Sequence, residues 1–141
     1  MKPINQTRFH DPTNQSPPGN CWTACLASIL EKSIKELPDE KEFWVPGSPP
    51  SVTWPPYEKR MYEYLATLGL SYLEASVRKV SRDLIGDVYC VIVGPSPRDK
   101  RILHSVVGRG NNIVHDPHPS NVGLAGEEND WDWGYLIKTF V

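Results

Sequence analysis

The run Pro17-Pro18-Gly19-Asn20 constrains this chain more than any other stretch. Prolines and glycine break regular structure. The apolar residues that follow, Trp22, Leu26, Ile29 and Leu30, recur at spacings of three and four, the period of one helix face. A helix is therefore expected from Cys21 to about Glu31, with the cysteine on its first turn. Backbone N–H groups at that end lack intrahelical partners and carry partial positive charge. They favour thiolate over thiol, and the thiolate is the nucleophile. Cys21 is thus a candidate nucleophile.

With 141 residues the chain suits one domain with one core, taken as residues 1–141. It is 39% hydrophobic and 23% charged, with a formal net charge of -2. That is an ordinary globular composition. Lys100-Arg101 and Arg78-Lys79 are isolated basic pairs, so no nucleic-acid partner is expected. The three cysteines, Cys21, Cys25 and Cys90, show no paired spacing and argue against a disulfide framework. The opening residues MKPINQTRFH contain no apolar run, so no signal peptide is expected. No apolar stretch is long enough to span a bilayer. The expected compartment is a reducing cytoplasm. Oligomeric state is open.

Residues 1–20 read as a loop. A short turn over Ser33–Leu37 is expected after the first helix, stopped by Pro38. Residues 38–56 read as loop because Pro46, Pro49, Pro50, Pro55 and Pro56 fall among Gly47, Ser48 and Ser51. A second helix is expected from near Pro56, capped by Thr53 or its neighbours, and ending before Gly69. Its apolar face is Tyr57, Met61, Tyr64, Leu65 and Leu68. Ser71–Glu74 fits a short strand, and Val77–Ile85 fits a helical turn or a connector equally. Val88–Val93 is a continuous apolar, β-branched run, the mark of a strand covered on both faces. Ile102–Val107 and Asn112–Asp116 are two further strands joined by the hairpin turn Gly108–Asn111. Residues 120–132 read as a polar loop and Tyr135–Val141 as a last strand. Helices first and strands second imply an α+β domain, with the first helix packed on an antiparallel sheet.

A cysteine nucleophile needs a base, usually histidine, and a group to orient it. His104 opens one hairpin strand and Asp116 closes the other. An odd-numbered loop centred on Gly110 pairs Val107 with Ile113 and sets His104 directly opposite Asp116. Their Cβ atoms would then be about 4.5–5.5 Å apart on one face. A one-residue slip would separate them. The oxyanion of acyl transfer needs donors. The Cys21 N–H is one. Gln15, six residues upstream, is a candidate side-chain donor, and Gln6 is the alternative.

In Gln15, Cys21, the Ala24–Ser28 helix, His104 and Asp116, the chain resembles papain-like cysteine peptidases. The similarity is to the compact bacterial branch that includes the double-glycine (bacteriocin leader) peptidases, and to small bacterial and phage relatives. Trp22 stands where that branch usually has Gly. The resemblance implies a papain-like α+β fold and a Cys21–His104–Asp116 triad with Gln15 at the oxyanion. It further implies hydrolysis of a peptide, isopeptide or related amide bond in a peptide or protein substrate, without a cofactor. Relatives with such a triad also deamidate glutamine or transfer acyl groups, and a non-catalytic binding module on the same fold is the third reading.

Other chemistry is less well signalled. Cys25, one turn past Cys21, and Cys90, inside an apolar strand, read as core. His115 and His118, with Cys21, Cys25 and His104, offer ligand types for zinc, but the spacings fit no zinc motif, so no metal is expected. The zinc-deaminase pattern and a Walker-type phosphate loop are absent from the sequence. Trp44, Trp54, Trp131 and Trp133 read as loop residues that close the core, with one or two available to a substrate groove.

Overall fold

A computed structural model describes residues 1–76 and 86–140; the Val77–Ile85 connector lies outside them. The fold is α+β. Two helices, α1 (Cys21–Leu30) and α2 (Pro50–Thr67), precede five strands: β1 (Leu70–Ser76), β2 (Tyr89–Pro95), β3 (Leu103–Arg109), β4 (Asn112–His115) and β5 (Asp132–Lys138). The strands form one antiparallel sheet in the order β1-β5-β2-β3-β4. The last strand thus inserts between the first two. α1 lies against β3 and β2, and α2 against β1.

β2 is covered on both faces, as its composition implied. Val91 joins Val107 and the α1 and α2 residues Trp22, Cys25, Leu26, Tyr57, Met61 and Leu65 in one core cluster. Cys90 and Ile92 join Val106, Trp133 and Tyr135 in a second, with Leu124 and Trp131 at its edge. Alternation along a strand sends neighbours to opposite faces. Trp133 is therefore a β5 core residue, not a loop residue.

α2 starts well before the expected Pro56, and Thr53 is a buried residue inside it rather than its cap. Pro50 occupies the first turn, where its missing N–H costs nothing. Pro55 and Pro56 lie in the helix interior, and each costs about 3 kcal/mol there. Tyr57, Met61 and Leu65 are fully buried on this helix and return roughly 1.5–3 kcal/mol apiece. Trp54, placed on α2 and not in a loop, packs on Trp22 and Tyr57. Tertiary burial outweighs local propensity here. The turn expected at Ser33–Leu37 is a 3-10 turn at Ile34–Glu36, and a second follows at Glu40–Glu42.

Gly134 of β5 has a packing role. A Cβ there would lie 1.7 Å from the Tyr72 hydroxyl. The bare backbone lets Tyr72 cross β5 and accept a hydrogen bond from Trp22 Nε1 at 3.2 Å.

Candidate active site

Cys21 is the first residue of α1 and is partly exposed. Asn20 occupies the N-cap, yet its side chain makes no capping bond. Instead Asn20 Oδ1 accepts the backbone N–H groups of Thr7 and Arg8, each at 3.0 Å, and Nδ2 donates to Thr7 Oγ1. The usual cap residue is thus spent on the N-terminal segment, and the first N–H groups of the helix are left to the site. Cys25 is 0% exposed and Cys90 is 1% exposed. Burial pushes the Cys25 thiol well above its ordinary range. Of the three thiols, Cys21 alone reaches solvent.

His104 and Asp116 meet, with His104 Nε2 2.8 Å from Asp116 Oδ1. The expected register did not bring them together. Arg109 pairs with Asn112 and Gly108 with Ile113, so the loop is the two residues Gly110-Asn111; a bulge then sets Val107 opposite His115. Turn and bulge each move the pairing by one. The total shift of two is even, so Asp116 keeps the face that His104 occupies. The same shift brings His118 toward His104, and their rings stand edge-on with centroids 6.2 Å apart. Phe9 stands edge-on to His118 in turn, at 5.0 Å.

Nε2 of His104 faces Asp116, and the Cys21 thiol is the second group that acts on the ring. Burial works against a charged imidazole at 3% exposure. Asp116 and Cys21 outweigh it and raise His104 to a pKa of about 9. Asp116, 5% exposed, is also opposed by burial. Its carboxylate nonetheless stays below its usual range. His104 and the His118 N–H bond Oδ1, and the Gly123 N–H bonds Oδ2 at 2.9 Å. The loop after β4 folds around the carboxylate and fixes it.

The two glutamines separate. Gln15 is exposed on a turn built around Asp11, its Nε2 directed at Thr13 O at 3.4 Å. The Asp11 carboxylate draws Thr13, Gln15 and Ser16 into a local turn of their own. Gln6 is buried. Its backbone N–H bonds Pro117 O, next to Asp116, and its Nε2 donates to Arg8 O at 2.7 Å. Arg8 O also accepts the Asn20 N–H. Both nitrogens share one carbonyl, so the Gln6 amide stands beside the residue preceding Cys21.

His115, one of the residues offered for zinc, bonds Ile4 O through Nε2. His118 bonds Ser120. Among the described residues no group of three potential ligands gathers to hold a metal ion, and no helix is long and apolar enough to cross a membrane.

Beneath the site lies a buried polar network that sequence reading missed. Glu40 is 1% exposed. Its Oε1 accepts from Thr23 Oγ1 at 2.6 Å, and its Oε2 pairs with Arg8 Nη2 at 2.9 Å. Thr23 Oγ1 also bonds the Tyr57 hydroxyl at 2.6 Å. Burial raises Glu40 to about 7 despite the bonds from Thr23 and Arg8. In sequence, Glu40 lies in the charged run Asp39–Glu42 within the stretch expected as loop, and nothing local marks it as buried.

Known protein families, curated proteins and solved structures were compared with the chain, and none matches.

Proposed function

We propose that the protein is a papain-like cysteine hydrolase acting on an amide bond of a peptide or protein. One observation carries the reading: the buried Asp116 carboxylate holds His104 Nε2 at 2.8 Å, and the partly exposed Cys21 at a helix N-terminus acts with Asp116 to raise the same imidazole. Asp116 would orient His104 as the base and favour the imidazolium formed when it takes the Cys21 proton. The Cys21 sulfur would attack the acyl carbon, and His104 would pass its proton to the leaving amine. Water, deprotonated by His104, would then release the acid from the thioester. The Cys21 N–H and the second N–H of the Gln6 amide would hold the oxyanion. Gln6 takes this role in place of Gln15 because of its position beside Asn20.

The test is incubation of the protein with a defined mixture of peptides, read by mass spectrometry with an ammonia assay. Chain cleavage that is lost in Cys21→Ala is the expected result. Ammonia release with intact chains would reassign the triad to glutamine deamidation. Identical behaviour of wild type and Cys21→Ala would overturn the reading in favour of a binding module.

A further inference from the structure

The Gln6 amide and Asn20, the residue before Cys21, meet at Arg8. Its carbonyl accepts from the Gln6 amide at 2.7 Å and from the Asn20 N–H at 3.3 Å, and its own N–H bonds Asn20 Oδ1. Its guanidinium is then held from three directions. Nε donates to Pro18 O in the turn before Cys21, at 3.2 Å. Nη1 and Nη2 engage both oxygens of Asp39. Nη2 also bonds the buried Glu40, which reaches Thr23, two residues after Cys21, through its other oxygen. The clamp therefore joins the Gln6 segment, the turn and α1. A bidentate guanidinium–carboxylate pair fixes direction as well as distance.

We propose that Arg8, clamped by Asp39 and the buried Glu40, is the positioning residue of the oxyanion site, holding the Gln6 amide and the Cys21 N–H at the separation that a tetrahedral oxyanion requires. This rests on the acyl-transfer reading above. Arg8 touches no reacting atom; it acts through Gln6 and Asn20.

Two thiol reagents distinguish positioning from general stability. p-Nitrophenyl acetate acylates the thiolate: the sulfur–carbonyl bond forms through an oxyanion, p-nitrophenolate leaves, and a thioester remains. Iodoacetamide alkylates by displacing iodide at a saturated carbon and develops no oxyanion. Arg8→Lys, Asp39→Asn and Glu40→Gln should each lower acylation of Cys21 at least about tenfold, part of the roughly 10²–10³-fold that loss of one oxyanion donor costs. Alkylation should stay within about twofold. In a Gln6→Ala background the effect of Arg8→Lys should shrink to the part carried through Asn20, because residues acting as one unit are not additive. Should Glu40→Gln fail to fold, Asp39→Asn at a partly exposed position and the charge-conserving Arg8→Lys still decide the matter.

Acylation that survives Arg8→Lys and Asp39→Asn overturns the clamp alone. Acylation and alkylation falling together would reduce it to a structural pair. Wild type acylating no faster than Cys21→Ala removes the acyl-transfer reading, and the clamp with it.

Discussion

Asp116 Oδ1 accepts two hydrogen bonds of 2.8 Å, one from His104 Nε2 and one from the His118 backbone N–H. The carboxylate is therefore oriented by the chain before it orients the imidazole. Asp116→Asn keeps the shape and removes the charge that raises His104. The ionisation of His104 should move down from about 9, and acylation by p-nitrophenyl acetate should fall roughly 10²-fold or more, the scale at which positioned acid–base groups act. The pH profile of the acylation rate checks both.

Native protein should take up one iodoacetamide per chain, on Cys21. Cys25 and Cys90 are shut from solvent, and the Cys25 thiol is further held protonated by burial. Alkylation at pH 6 followed by peptide mapping reads this directly. Labelling of Cys25 or Cys90 at a similar rate would show that Cys21 is not an activated thiolate.

Gln6→Ala should depress acylation by about 10²-fold, whereas Gln15→Ala should leave it unchanged. The difference comes from burial beside Asn20 in one case and an exposed turn in the other. Equal effects would return Gln15 to the oxyanion site.

Stability should decline in two steps as pH rises. Glu40 is raised on folding from 4.5 to about 7, so its contribution is present below 4.5 and lost as pH climbs through 7. His104 is raised from 6.5 to about 9, so its contribution is complete below 6.5 and lost through 9. Asp116 is lowered from 3.8, so its contribution holds above that value and vanishes only as pH falls through its depressed range. Melting temperature against pH should show both upper steps, and Glu40→Gln should erase the first.

Gly134→Ala should cost roughly 1–3 kcal/mol, the usual penalty of overpacking. The new methyl meets the Tyr72 hydroxyl and forces it off Trp22 Nε1. Thermal melts measure the loss, and a shift in tryptophan emission reports the broken contact. An unchanged melt would mean that Tyr72 has room to move.

The site was legible where local chemistry sufficed. The turn before Cys21 ends the loop and starts the helix at the expected residue because proline, glycine and asparagine act on their immediate neighbours. The apolar run at β2 announced a strand covered on both faces. The hairpin was less legible. The expected odd-numbered loop is a two-residue turn followed by a bulge, and His104 still meets Asp116 because the two shifts of one leave the side-chain alternation intact. α2 was shortened in the reading because Pro55 and Pro56 speak against a helix locally, and the burial of Tyr57, Met61 and Leu65 overrides them.

Sequence alone determined the identity of the nucleophile candidate, its helix start and the two residues that meet behind it. These depend on neighbours along the chain or on strand alternation. Tertiary structure decided that Gln6 is buried beside Asn20 while Gln15 lies on an exposed turn, and that Arg8 reaches the buried Glu40. Both outcomes depend on contacts between residues 31 or more positions apart, or on whether a polar side chain is withdrawn from water. A charged residue carries no local mark of its burial. Only the packed chain tells Glu40, which has lost its water, from the exposed Glu42 two positions on.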